Sequence, residues 1–232
     1  MTKKKLLIVI PVYNEQSIIN KVIEDWLKIV KKYKGHLLII NDGSTDLTLR
    51  KIKKIKSKKI ILISQNNQGH GIAALNGYKY GIKNSFGFIF QVDSDNQFSV
   101  KNFPKFWSLR NKYDLVLGHR KNRRDPLSRL VITRILRFFI LFRFKIYILD
   151  ANVPYRLINV EKLKRIINKI PAKTSIPNIW ISILFNKNNI YKCFSIPVIH
   201  KLRRTGVVWI LKWRLVKFCI NAFFELLRPN KK

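Results

Sequence analysis

The sequence predicts an α/β fold, with a mostly parallel central sheet, helices on both of its faces and an amphipathic helix at the C-terminus. Three observations predict it. Short apolar runs alternate with helical segments through the first half of the chain. Several of these runs give way to loops rich in Asp, Asn, Ser and Gly. From about residue 207, polar and aromatic side chains separate onto different sides of a helical wheel.

In chain order, residues 6–10 read as a buried strand, stopped where Pro11 has no N–H to offer a neighbour. Residues 17–32 read as a helix, 37–40 as a strand, 47–56 as a basic helix, 60–64 as a strand and 71–82 as a helix. The run 88–92, bounded by Gly87 and an acidic turn, and then 115–117, are the next strands. The second half is less regular. A basic, aromatic stretch at about 127–145 has helical character, and 150–200 ends in a strand-like run at 195–199. No internal repeat and no Gly/Ser- or Pro-rich linker interrupts the 232 residues.

Lys and Arg number 47 against 12 Asp and Glu, a net charge of +35. Such a field attracts polyanions, whether nucleic acid, phosphorylated ligands or an anionic membrane, and does not choose among them. The two cysteines, Cys193 and Cys219, form no disulfide framework and no CxxC spacing, which suits a reduced compartment. The basic start followed by residues 6–10 is too short for a signal peptide, since Pro11, Asn14 and Glu15 follow at once. The most apolar region, 130–149, is broken by Arg134, Arg137, Arg143 and Lys145, so a bilayer-spanning helix is not expected.

Four loops carry the candidate chemistry. In Asp93-Ser94-Asp95-Asn96-Gln97, two carboxylates and an amide oxygen stand on alternate residues directly after a buried strand. That edge is where open α/β sheets bind ligands, and hard oxygen ligands suit Mg²⁺ or Mn²⁺ held jointly with a substrate's phosphates. Pro11-Val12-Tyr13-Asn14-Glu15 follows the first strand. Tyr13 and Glu15 there either face a base or simply end a strand and open a helix. In Asn41-Asp42-Gly43-Ser44-Thr45-Asp46, Gly43 permits a tight turn and Ser44 or Thr45 can cap the next helix, with Asp46 complementing its dipole. This leaves Asp42 to accept from a nucleotide. In residues 66–77, Gly69 and Gly71 allow close approach of a ligand to the backbone, and Ala73 and Ala74 suit close packing of helix on sheet.

Taken in this order, Val-Ile-Pro-Val-Tyr-Asn-Glu, Asn-Asp-Gly-Ser-Thr-Asp and Val-Asp-Ser-Asp-Asn-Gln resemble the family-two glycosyltransferases over roughly the first 120 residues. These are nucleotide-sugar-dependent inverting enzymes with a Rossmann-like fold. Gln97, Gly118-His119-Arg120, Arg203-Arg204-Thr205-Gly206 and the stretch from Asp150 to Leu157 resemble the dolichyl- or polyprenyl-phosphate sugar synthase branch. The resemblance implies that Pro11, Tyr13, Glu15, Ile40 and Asp42 line the base and ribose. It implies that Asp93, Ser94 and Asp95 face ribose and diphosphate, and that Asp95 and Gln97 hold the metal with Asp93 beside them. Arg203 would hold the diphosphate and stabilise the leaving nucleotide. The catalytic domain would then be 1–205, with 206–232 a C-terminal helix.

An attacking sugar hydroxyl needs a general base, whereas a lipid phosphate is already anionic and needs cations instead. Hydroxyl-acceptor members of the family that the chain resembles usually carry a Glu/Asp-Asp pair followed by a Gln-x-x-Arg-Trp-type motif, and neither is found here. The region after Gly118 supplies arginines, of which Arg120, Arg123, Arg129 and Arg134 are the candidates for an acceptor phosphate. Asp150 is a candidate for orienting the acceptor, or for a base. At the C-terminus Arg214, Lys217, Asn221, Glu225 and Arg228 form a narrow polar stripe beside Trp209, Trp213, Phe218, Phe223 and Phe224. Such a helix either lies in a membrane interface or packs on the domain. The expectation is a cytoplasmic, peripherally membrane-bound transferase that moves a sugar from a nucleotide-diphosphate sugar to a polyprenyl phosphate with Mg²⁺ or Mn²⁺. The rivals are transfer to a saccharide hydroxyl and, from another class, basic nucleic-acid binding, for which no RNP-like strand or zinc spacing is present.

Overall fold

The computed structural model describes residues 5–121, 127–201 and 212–227. Strand β1 (Leu6–Val12) leads to helix α1 (Ile19–Lys32), β2 (His36–Asp42) to α2 (Thr48–Lys54), and β3 (Ile60–Gln65) to α3 (His70–Lys83). Then come β4 (Phe88–Val92), α4 (Phe103–Ser108), β5 (Leu115–Lys121), α5 (Leu127–Phe144), β6 (Tyr155–Asn159), α6 (Val160–Ile166), α7 (Pro177–Lys187), β7 (Cys193–Ile199) and α8 (Lys212–Leu227).

The seven strands form one sheet in the order β3-β2-β1-β4-β6-β5-β7. The neighbours β1/β2, β2/β3, β1/β4 and β5/β7 run parallel, and β6 alone runs against both β4 and β5. The sheet is therefore mostly parallel, with one reversed strand. Its register pairs Val12 with Asn41 and Asp42 with Gln65, so the loops after β1, β2 and β3 leave at one edge. β1, β2 and β4 are buried almost throughout, which is why they read as continuous apolar runs rather than alternating ones.

One face of β4 is aromatic. Phe90 lies 5.4 Å from Trp26, 5.0 Å from Phe103 and 4.7 Å from Tyr155, measured between ring centroids. The other face receives α3. A Cβ on Gly77 would stand 2.2 Å from Val9 Cγ1, and Ala73 and Ala74 are fully buried, so these small residues bring helix and sheet together. Gly71 has the same packing role. A Cβ there would lie 2.4 Å from the Ser175 carbonyl oxygen, so its open side is filled by the chain itself rather than kept for a ligand.

Three elements depart from the sequence reading. β6 and the helices α6 and α7 occupy a stretch read as irregular. α7 is buried on nearly all sides and so shows no helical periodicity of polar residues. The capping of α2 falls to Asp46, whose Oδ1 accepts from Thr48 N at 2.9 Å, and not to Ser44 or Thr45. In α8, Glu225 belongs to the polar stripe but faces the domain: it accepts from the Thr174 hydroxyl, from Ser175 N at 3.3 Å and from Trp180 Nε1 at 2.8 Å. Ala222 and Leu226 are buried beside it, while Phe223 and Phe224 are exposed.

Candidate active site

The first two loops are laced together. Asn14, held at φ 52°, donates its N–H to Ser44 Oγ at 3.1 Å, and its Oδ1 accepts from Thr45 N at 2.8 Å. Glu15 N donates to Thr48 Oγ1 at 2.8 Å, and Gln16 N to Asp46 Oδ2 at 3.2 Å. Ser44 and Thr45 thus brace the β1–α1 loop. Gly43 makes its turn at φ 69°. Tyr13 is half-buried and Glu15 buried, while Pro11 and Ile40 are cross-strand neighbours enclosed within the sheet.

Asp42 is buried at 2% exposure. Its Oδ1 accepts from Gln65 Nε2 at 2.8 Å and from Gln68 N at 2.9 Å, and its Oδ2 from Gly69 N at 2.8 Å. The carboxylate that the sequence left available for a nucleotide therefore holds the β3–α3 loop in shape. Gly69, at φ 92°, then hands the chain to α3, and α3 opens with His70.

His70 is the residue that sequence reasoning missed. Its Nε2 lies 2.8 Å from Asp93 Oδ1 while its side chain stays 52% exposed. Desolvation disfavours its protonation, but the Asp93 carboxylate, with Asp95 and Asp42 behind it, prevails and raises its pKa above the ordinary histidine value. The only signal in the sequence is position: a histidine opening a helix after a glycine turn, on the strand edge that also carries the acidic loop.

The acidic loop turns tightly through Asn96 at φ 57°, with Gln97 N donating to Asp95 Oδ1 at 3.0 Å. Ser94 is buried. Gln97 Nε2 donates to Lys201 O at 2.9 Å, and Lys201 N donates back to Gln97 O at 3.0 Å. The segment leaving β7 is thereby tied to the acidic loop two positions before Arg203 in the chain, and Arg203 itself lies outside the described residues. Among the described residues, no three His, Cys, Asp or Glu side chains are arranged to hold a metal ion by themselves. Two carboxylates and an amide on one turn nonetheless fit a hard divalent cation whose remaining ligands come from a diphosphate.

At the same strand edge, Arg120 Nε donates to Asp150 Oδ2 at 2.7 Å and its Nη2 to Asp150 Oδ1 at 2.9 Å. Asp150 is only 5% exposed, and Arg120 15%. His119 Nδ1 lies 2.9 Å from Ser195 Oγ. Arg134 stands exposed on α5, and Arg129 belongs to the same helix. Arg123 lies outside the described residues.

A family model described as glycosyl transferase family 2 matches residues 7–167, more than half of the chain. Dodecaprenyl-phosphate galacturonate synthase of Rhizobium johnstonii is 30% identical over 132 residues, covering 53% of this chain and 38% of that protein. Undecaprenyl-phosphate 4-deoxy-4-formamido-L-arabinose transferase of Photorhabdus laumondii is 29% identical over 150 residues, covering 59% and 43%. The chain thus spans well under half the length of these two relatives. It is also 27% identical over 172 residues to an uncharacterized protein of Methanocaldococcus jannaschii, covering 68% of this chain and 73% of that one. Among solved structures, glucosyl-3-phosphoglycerate synthase of Mycobacterium tuberculosis, in complex with Mn²⁺ and uridine-diphosphate-glucose, matches at a TM-score of 0.72 and 16% identity, covering 97% of this chain and 78% of that chain. At that identity the likeness is one of fold. With the acidic loop, the laced β1–α1 and β2–α2 loops and the reversed strand all inside the matched span, the chain belongs to glycosyl transferase family 2 and is a glycosyltransferase.

Proposed function

We propose that this glycosyltransferase moves a sugar from a nucleotide-diphosphate sugar to a polyprenyl phosphate at a membrane surface, with inversion at the anomeric carbon. The observation that carries the acceptor class is the Arg120–Asp150 pair. Both Asp150 oxygens accept from Arg120, so the carboxylate is set to orient a guanidinium rather than to take a proton from a hydroxyl. An arginine oriented this way suits a phosphate, which accepts hydrogen bonds from guanidinium N–H groups and needs charge neutralisation and no base. The named polyprenyl-phosphate relatives point the same way.

In this reading an oxygen of the lipid phosphate bonds to the anomeric carbon as the bond to the nucleotide diphosphate breaks, and no proton need move. Tyr13 and Glu15 border the nucleotide, and Asp93 and Ser94 border ribose and diphosphate. Asp95 and Gln97, with Asp93 beside them, hold Mg²⁺ or Mn²⁺, which when bound neutralises charge on the departing diphosphate. Arg203 steadies that same group. Arg120 binds the acceptor phosphate, and Arg123, Arg129 and Arg134 are further cations for it. Radiolabelled product should partition into organic solvent and be acid-labile. Efficient transfer to a free saccharide, with none to polyprenyl phosphate, overturns the assignment.

The membrane surface rests on α5 and α8. α5 exposes Val131, Ile135, Phe138 and Phe142, the last at 73%, and α8 exposes Ile220, Phe223 and Phe224. Phe139 and Phe223, with ring centroids 4.5 Å apart, join the two helices. Exposed Arg134, Arg143 and Lys145 accompany this apolar face, the pairing that suits anionic lipid. No helix among the described residues is long and apolar enough to cross a bilayer. A Phe142→Ser/Phe224→Ser variant should bind vesicles containing anionic lipid at least roughly 100-fold more weakly, since the two Phe side chains together contribute about 3–6 kcal/mol when buried. Undiminished flotation with such vesicles would remove this face as the anchor.

A further inference from the structure

Beneath the proposed site lies a buried polar network that none of the site assignments uses. Gln91 sits on the central strand β4 and is fully buried, where an aliphatic residue would satisfy the strand. Residues two apart on a strand share a face, so Gln91 and Asp93 both lie on the side that α3 covers. Gln91 Nε2 donates to Asp93 Oδ1 at 3.1 Å, and Gln91 Oε1 accepts from Asn178 Nδ2 of α7 at 3.1 Å. The carboxylate can only accept and the Asn178 amide N–H can only donate, so one orientation of the Gln91 amide satisfies both. Tyr78 of α3 gives its hydroxyl proton to Asn178 Oδ1 at 2.6 Å, which fixes the Asn178 amide in turn.

The network continues across the sheet. Arg156 is the cross-strand partner of Gln91 and is also fully buried. Its Nη1 donates to Asn178 O at 2.8 Å, its Nε to Val153 O at 2.9 Å and its Nη2 to Ala151 O at 3.0 Å. The Val153 and Ala151 carbonyls belong to the segment just after Asp150, which carries Arg120. A charged side chain buried on neutral carbonyls, and an amide buried on a central strand, are costly unless their bonds are all made. Such groups are retained where they fix a geometry. Here the network ends at Asp93 on the donor side and at the 150–153 segment on the acceptor side.

We propose that Gln91 and Arg156 are positioning residues at the two ends of one buried network: Gln91 aims the Asp93 carboxylate at the donor's cation and diphosphate, and Arg156 holds the 150–153 segment so that Asp150 presents Arg120 to the acceptor. This rests on the function proposed above. The test reads Mn²⁺ binding with UDP present, by electron paramagnetic resonance and without turnover, alongside the KM for farnesyl phosphate. Gln91→Leu should weaken Mn²⁺ binding roughly 10- to 100-fold, as loss of a group that orients a ligand does. Combined with Asp93→Asn it should add nothing further, because it acts through that carboxylate. Arg156→Lys should leave the Mn²⁺ constant unchanged and raise the KM for farnesyl phosphate several-fold. Gln91→Met replaces Gln91→Leu should the latter fail to fold. A lowered Tm with an unchanged Mn²⁺ constant, or a Gln91→Leu effect fully additive with Asp93→Asn, overturns the inference. Wild-type protein that binds neither Mn²⁺ nor UDP overturns the proposed function and this inference together, whereas normal binding in both wild-type and Gln91 variants overturns the inference alone.

Discussion

Replacing Asp95 by Asn is expected to abolish metal-dependent nucleotide binding while leaving the fold intact. The two halves of that expectation have separate causes. Asn keeps an oxygen at Oδ1, so the 3.0 Å bond from Gln97 N that closes the turn survives, and with it the bonds between Gln97 and Lys201. The loop lies at the sheet edge, half-exposed, and supports none of the apolar core. What is lost is one of two negative charges on a turn that carries few oxygen ligands. Among the described residues no third acidic, histidine or cysteine side chain completes a site. Groups that merely orient a metal ligand are worth about 10- to 100-fold in affinity, so removal of a ligand itself should cost at least roughly 100-fold. Titration of Mn²⁺ in the presence of UDP, with a thermal melt as the control for folding, reads both halves. Unchanged activity at saturating Mn²⁺ would show that the acidic loop is not the metal site.

The parts of this protein that were legible in its sequence are those governed by local rules. β1, β2 and β4 announce themselves as apolar runs because both faces of each are covered, and the loops after them are legible because their polarity contrasts with the run before. Where tertiary contacts decide, local rules fall short. Tyr155–Asn159 carries Arg156 as its second residue, and a charged residue argues against a buried strand until Asn178, Val153 and Ala151 are found round it in the fold. A helical wheel shows that Glu225 is on the polar stripe of α8 but not that Trp180 and Thr174 lie opposite to receive it. Asp42 reads as available because its partners, Gln65, Gln68 and Gly69, are 23 to 27 residues away. His70 and Asp93 are likewise 23 residues apart. Most of these missed contacts join polar groups 22 or more residues apart in sequence, and where the group is buried, as at Arg156 and Asp42, it must find partners.

The same logic makes Arg120 the most informative residue on the acceptor side, and also the hardest to test cleanly. Arg120→Ala removes charge-assisted bonding worth about 1.5–3 kcal/mol in all, so the KM for polyprenyl phosphate should rise roughly 10- to 150-fold while that for the nucleotide sugar changes little. It also leaves Asp150 buried without its bidentate partner, and an uncompensated buried charge can cost several kcal/mol of stability by itself. Asp150→Asn separates the two effects. The amide keeps one oxygen for Arg120, though its NH2 cannot accept the second bond, and no carboxylate is left stranded, so the protein should lose less stability than with Arg120→Ala, with Arg120 held less firmly. If Asp150 orients Arg120, this variant raises the KM for the lipid by a smaller factor than Arg120→Ala, and the double variant is no worse than Arg120→Ala alone. If Asp150 instead removes a proton from an acceptor hydroxyl, Asp150→Asn collapses kcat with a saccharide acceptor and leaves the KM for that saccharide where it was. The second result would return the acceptor to the saccharides and reduce Arg120 to a structural partner of the carboxylate. The first would place a phosphate opposite the guanidinium, because only an acceptor that is already anionic gains from a cation held ready and loses nothing from the lack of a base.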